Sequence, residues 1–243
     1  MAGNAGDAGL EVCVLGTFRF WARGSALPAV LGGSQRLLAL LGLRDRALMR
    51  ASVAGTLWPE SSEDHAYSSL RSALARLSRL TRDAVVVTPL DLCLADDVTL
   101  DIRESRALAH RLLDPSAASA EADLSANAVF ALSVDVLPDW YDDWVLVEAE
   151  DWHQLRLHAL EALAGRLSAA GRFGEATGAA LAAVRAEPLR ESARAVLIGV
   201  HLAEGNQSEA VGEFARYRAL LQAELGLEPT PRLHELIHSL HAR

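Results

Sequence analysis

Three arginines, Arg71, Arg76 and Arg79, stand in the stretch 63–80, and no carboxylate follows Asp64 within it. Guanidinium forks in such a row suit phosphate oxygens or guanine edges. Read as a helix at about 100° per residue, the stretch turns Ala66, Leu70, Ala73, Leu74, Leu77 and Leu80 inward. Ser68, Ser72, Ala75 and Arg79 then centre the opposite face, with Arg71 and Arg76 on its flanks. A solvated surface helix more often interleaves Glu with Arg in i,i+4 pairs. Small residues at the middle of the face let the helix approach a grooved partner. The candidate contacts are Ser68, Ser69, Arg71, Ser72, Arg76 and Arg79. Ordinary surface charge is the plainer alternative.

Other constellations carry less. His-Glu-Leu-Ile-His at 234–238 has the spacing of a zinc protease motif. Zinc needs a third protein ligand and a cleft, and only Ser239 to Arg243 follow, with His241 one turn on. A packing or surface helix is the expected reading, with no metal, cofactor or catalytic residue. Trp140, Trp144 and Trp152 fall near one helical stripe among acidic residues, as core packing or, more sharply, as a docking surface. Cys13 and Cys93 stand far apart in apolar surroundings, suiting buried thiols of a reduced cytosolic protein rather than a disulfide scaffold.

All 23 basic residues are arginine. Without lysine this chain has no Walker A loop, Schiff-base amine or kinase strand lysine, which excludes those chemistries. The net charge of −9 looks wrong for a nucleic-acid binder until it is divided along the chain. Residues 1–98 hold 10 Arg and 10 acids; residues 99–243 hold 13 Arg and 22 acids. Within 19–82 there are 10 Arg against four acids. A basic front on an acidic rear points to a tethered anion-binding module.

The 243 residues, 51% apolar, suit one large domain or two small ones. No apolar run approaches a membrane span, and Met1 to Gly9 reads as a loose tail, not a signal peptide. Leu10 to Leu15 and Phe18 to Trp21 read as strands, with Ser25 to Val30 a possible edge strand limited by Pro28. Ser34 is positioned to cap a helix carrying Leu37, Leu38, Leu40 and Leu41. Ser52 is a candidate cap for a second helix, ended by Trp58-Pro59, and Ser61 and Ser62 for the arginine helix. Val85–Thr88, Pro89–Asp91 and Leu92–Leu94 read as strand, turn and strand. Small sheet, three helices and hairpin is the order of a winged helix-turn-helix.

From about Asp101 the pattern is helical, apart from a Ser/Ala-rich loop at 114–126. At an offset of 34, Ala169–Ala176 lies over Ala203–Ala210, pairing Gly171 with Gly205 and Glu175 with Glu209. That is the tetratricopeptide period. The expected fold is therefore mainly α with a small β component. A winged helix-turn-helix over 10–98 precedes an all-α, tetratricopeptide-like domain over 99–243. A DNA-binding regulator, a protein-interaction adaptor and a metallohydrolase are the function classes in play.

Several segments together look like one family. Gly-Thr-Phe at 16–18, Ser-Gln-Arg-Leu-Leu-Ala-Leu-Leu at 34–41, Thr-Leu-Trp-Pro at 56–59 and Leu-Arg-Ser-Ala-Leu-Ala-Arg-Leu at 70–77 resemble the winged-helix half of the SARP family, the antibiotic-pathway activators. Leu-Pro-Asp-Trp-Tyr-Asp-Asp-Trp at 137–144, Glu-Pro-Leu-Arg-Glu-Ser-Ala at 187–193 and Glu-Leu-Gly-Leu-Glu-Pro-Thr-Pro at 224–231 resemble its bacterial transcriptional activation domain. The resemblance implies an OmpR-type winged helix binding direct repeats of double-stranded DNA near promoters. It also implies a helical domain supporting homodimerisation and contacts with RNA polymerase holoenzyme, in a cytoplasmic, nucleoid-associated protein. By the same match Arg71, Ser72, Arg76 and Arg79 take the recognition role, and Gln35 and Arg36 a DNA-backbone role. Two positions depart from the family pattern. Ser78 stands where such helices are often basic, and the wing tip Pro89-Leu90-Asp91 has no Arg for the minor groove.

Overall fold

The computed structural model describes residues 9–22, 24–26, 32–116 and 120–238. The tail through position 8, the expected strand residues 27–30 and His241 lie outside the described residues, as does the side chain of His238. Two compact units result. One comprises residues up to Glu104 together with Asp135–Trp152; the other comprises Ser105–Val134 and the chain from His153 onward.

In the first unit the alternation Val12, Val14 and Phe20, Ala22 buries one side of the opening strands. β1 (Leu10–Cys13) pairs antiparallel with β2 (Arg19–Ala22), placing Val12 opposite Phe20, and β3 (Ser25–Ala26) extends the edge. Then follow α1 (Gly33–Arg44), β4 (Leu48–Met49), α2 (Arg50–Leu57), α3 (Glu63–Ala75) and α4 (Arg79–Asp83). β5 (Val85–Val87), β6 (Asp91–Leu94) and β7 (Thr99–Leu100) complete the run. β7 lies parallel beside β1, giving the sheet order β3-β2-β1-β7, while β4-β6-β5 forms the wing sheet. The two-residue strands β4 and β7 are too short to leave a period-2 signature, and the sequence reading lacks both.

α1 is buried almost all round, through Leu37, Leu38, Leu40, Leu41 and Leu43. It lies close to the sheet residues: a Cβ on Gly42 would stand 3.1 Å from Leu100 Cδ1. The expected serine caps differ from the observed ones. Gly32 precedes α1, and Ser34 Oγ, buried, donates instead to the carbonyl of Ala73 at 2.7 Å. α2 begins at Arg50, ahead of Ser52, with Met49 at its cap. Ser62 does cap α3 by position, but its hydroxyl bonds His65 Nδ1 at 2.8 Å.

The segment Asp135–Trp152 belongs to this unit through backbone pairing. Gly16 N–H donates to the Asp135 carbonyl at 2.7 Å, and Leu137 N–H to the Val14 carbonyl at 3.0 Å. Leu137, buried, sits at φ 39°, a left-handed turn held for a non-glycine residue by this pairing. Asp101 secures the same strand end, its carboxylate accepting N–H bonds from Val14, Leu15 and Ile102 at 2.7–3.1 Å. Burial holds that carboxyl above its ordinary value despite those donors.

The second unit takes the rest of α5 (Asp101–Leu113), a 3-10 turn at Glu121–Leu124, and α6 (Ala126–Ser133). It continues with α7 (Asp143–Ala169) from His153, then α8 (Phe173–Ala186), α9 (Glu191–Glu204), α10 (Gln207–Leu225) and α11 (Pro231–His238). The 34-residue offset is visible in the turns. Gly171, before α8, has φ 73°, and Gly205, before α10, has φ 90°. Both occupy the left-handed region where glycine carries no Cβ penalty. Small residues such as Ala176, Ala179, Ala180 and Ala183 on α8 and Ala193 on α9 are fully buried. A polar network stitches α9 to α10. Arg194 pairs with Glu213, Arg216 meets the same carboxylate at 2.7 Å, and Tyr217 donates to the Leu189 carbonyl at 3.2 Å.

Candidate nucleic-acid interface

α3 presents the outer face that its sequence demands. Ala66, Leu70, Ala73 and Leu74 are buried, whereas Ser68, Arg71, Ser72, Ala75 and Arg76 are exposed along one arc of the helix. Ser69 lies half-buried at the edge of that arc. Ser72 Oγ donates back to the Ser68 carbonyl at 3.0 Å, which draws its hydroxyl onto the backbone and keeps the ridge low.

The expected single helix over 63–80 is two helices. α3 ends at Ala75, with Arg76 as its C-cap, and α4 starts at Arg79 behind Ser78. The cause is local. Ser78 Oγ accepts the Thr81 N–H at 3.3 Å and pairs with the Thr81 hydroxyl at 2.9 Å, an N-cap that starts a new helix. Buried Leu77 lies in the bend. The Ser78-Arg79-Leu80-Thr81 run carried that signal in the sequence. Arg79 is exposed on α4 rather than on a continuation of α3, so it leaves the helical line that joined it to Ser68 and Ser72.

Two other residues hold the C-terminal end of α3, where helix carbonyls lack partners. Ser34 takes the carbonyl of Ala73, and Arg82 Nη1 donates to that of Leu74 at 3.2 Å. α3 is thus tied to α1 on one side and α4 on the other. Neither role was evident from sequence, because both partners are distant backbone oxygens.

The arginines divide by what they meet. Arg44 pairs with Glu148 at 3.1 Å, and Arg103 forms two bonds to Asp45. Arg50 reaches the Thr88 carbonyl at 3.3 Å. The side chains of Arg71, Arg76 and Arg79 make no hydrogen bond or ion pair among the described residues. Gln35 and Arg36 sit half-buried on the first turn of α1, and Arg36 donates to the carboxylate of Asp142. The wing is anchored where Arg50 N–H donates to the Leu90 carbonyl at 2.8 Å. Its tip is apolar: Leu90 is 75% exposed, and Val86 and Met49 are exposed as well.

Trp144 and Trp152 are buried, with Trp140 edge-on to Trp144 at 6.3 Å and tilted over Phe18 at 6.1 Å. Trp140 precedes α7 rather than sharing its stripe. Both cysteines are half-buried, and burial pushes the Cys13 thiol up to about 12, where it is inert as a nucleophile. His234 stacks edge-on against Phe214 at 5.0 Å. Among the described residues no three metal-ligating side chains come together, and no helix is long and apolar enough to cross a membrane.

Comparison with known proteins agrees with this architecture. The family model for the bacterial transcriptional activator domain matches residues 100–241. Regulatory protein AfsR of Streptomyces griseus is 29% identical over 245 residues, and AfsR of Streptomyces coelicolor 29% over 247. Each alignment covers 93% of this chain and 24% of the relative, so the chain spans about a quarter of the length of these curated relatives. Among solved structures, Mycobacterium tuberculosis EmbR, in complex with a low affinity phosphopeptide, aligns with TM-score 0.67 and 24% identity, covering 96% of this chain and 65% of that one. That likeness establishes the fold.

Proposed function

The chain belongs to the bacterial transcriptional activator domain family, and on that premise we propose that it is a transcriptional activator of the SARP type that binds promoter DNA with α3 in the major groove. The observation that carries this is the outer face of α3 and α4. Two exposed guanidiniums without internal partners, Arg71 and Arg76, flank a ridge of serine and alanine on α3, whose opposite side is locked into the core, and a third, Arg79, stands exposed on α4. Arginines committed to carboxylates are already neutralised; these three are available to an external anion.

Arg76, beside Ser72 and Ala75, reads a base edge, and Arg79 on α4 clamps a phosphate. Arg71 supports the same strand, with Ser68 and Ser69 lining the approach. Gln35 and Arg36 supply a flanking backbone contact, Arg36 by exchanging Asp142 for a phosphate oxygen. With an apolar wing tip, affinity rests on α3, on pairing of two copies at direct repeats, and on RNA polymerase held through the helical unit. The regulated genes, by the family resemblance, serve a pathway of secondary metabolism, and the protein acts in the cytoplasm at the nucleoid. The reading assigns no catalytic residue, metal or cofactor to the chain.

Selection of bound sites from random duplex DNA tests the proposal. Recovery of two spaced half-sites, with binding that weakens steeply as salt rises, supports it. Recovery of no preferred sequence favours a protein-interaction adaptor.

A further inference from the structure

We propose that the outward face of the first turns of α7, with the groove at its head, is a docking surface for a basic, amphipathic polypeptide segment. The stretch 135–151 contains seven carboxylates and no basic residue. Asp142 is taken by Arg36 and Glu148 by Arg44, and Asp135 and Glu150 also have partners of their own. Asp139, Asp143 and Asp151 are exposed and make no ion pair among the described residues.

These charges frame apolar surface. Asp143, Leu146, Val147, Glu150 and Asp151 recur at the i, i+3, i+4, i+7, i+8 spacing of one helix face. The opposite face is already spent on the core through Trp144, Val145 and Trp152. Leu146 at 49% and Val147 at 55% exposure therefore form a second apolar stripe, one that folding of this unit leaves uncovered. Tyr141, 81% exposed, stands at the head of the helix beside a shallow cavity of about 260 Å³. Trp140 and the carboxylate of Asp139 line that cavity, together with Gln35 and the Arg36–Asp142 ion pair.

Chemistry selects the occupant. An aromatic face beside a carboxylate suits a guanidinium or ammonium, and the Leu146–Val147 stripe suits aliphatic side chains one helical turn away. Duplex DNA is repelled by the same carboxylates. The cationic face of α3 in a second copy does not supply this pattern, because it offers serine, alanine and arginine and no aliphatic side chain to cover the stripe. A segment carrying both cations and aliphatic anchors satisfies both features. The proposal stands apart from whichever DNA sequence α3 reads.

The test uses the full chain and a fluorescent helical peptide of about 18 residues, with arginine and leucine on one amphipathic pattern. A scrambled peptide of equal composition and an arginine-only peptide are the controls. Binding by anisotropy is compared for the native chain, Leu146→Ser/Val147→Ser and Asp143→Asn/Asp151→Asn, with melting curves and DNA retardation recorded on the same samples. The proposal predicts binding of the amphipathic peptide alone, weakened about tenfold by either pair of substitutions. Melting and DNA retardation should hold, which separates this surface from that of α3. Equal binding of the scrambled peptide, or binding unaffected by either pair, overturns the proposal. So does concentration-dependent self-association that Leu146→Ser/Val147→Ser abolishes, which would make the occupant a second copy.

Discussion

Arg36 and Asp142, 106 residues apart in sequence, form an ion pair that joins the first turn of α1 to the chain entering α7. The Arg36 Nε, buried, has no partner, so the guanidinium is held by one side only. On the proposed backbone role of Arg36, Asp142 and a DNA phosphate compete for the same cation. Asp142→Asn should strengthen DNA binding at low salt and steepen the salt dependence by about one counterion. Adding Arg36→Ala should cancel that gain. If Asp142→Asn leaves the salt slope unchanged, Arg36 has no backbone role.

Ser34 offers a cleaner test of how α3 is positioned. Its buried hydroxyl is a donor to the Ala73 carbonyl near the end of α3. Ser34→Ala leaves that oxygen unsatisfied and should cost about 1–3 kcal/mol by urea unfolding. An unchanged unfolding midpoint would show that the cap contributes nothing.

Trp144 is a core residue of the first unit, buried and edge-on to Trp140. Trp144→Ala should lower stability by about 3–5 kcal/mol, as large-to-small truncations do. A docking anchor would instead leave the melting curve in place.

Acid should loosen the helical unit through two carboxylates. The Arg111 guanidinium holds Asp123 below its ordinary 3.8. Burial opposes the same shift at Glu213, but Arg216 and Arg194 outweigh it and hold that carboxyl below 4.5. Folded values below unfolded ones mean stability present above those ordinary values and lost as pH falls through the depressed ones. Urea midpoints measured from pH 6 downward should fall in that window, and Asp123→Asn should flatten the fall. Asp101 runs the other way, since burial raises it, and so contributes no acid lability of this kind.

Long periodic signals were legible in the sequence. The leucines of α1, the inward line of α3 and the Gly171–Gly205 offset each repeat often enough to define an element. What escaped was decided by partners far along the chain. Ser34 reads as an N-cap in isolation and becomes a donor to α3 only when the unit closes. The segment from Asp135 reads as part of the helical half, yet its backbone bonds with Val14 and Gly16 put it in the first unit. The break at Ser78 was readable, but the run of inward leucines Leu74, Leu77 and Leu80 outweighed its cap.

The account rests on α3 reading DNA, and Arg76 tests that most directly. Binding by Arg76→Ala should be measured on a selected site with each base varied in turn, and on random DNA. A base reader predicts a loss of about 1–3 kcal/mol confined to the selected site, with relaxed preference at one position. Equal losses on every sequence would reduce Arg76 to a phosphate contact, and no loss on any sequence would contradict the placement of the DNA surface on this helix.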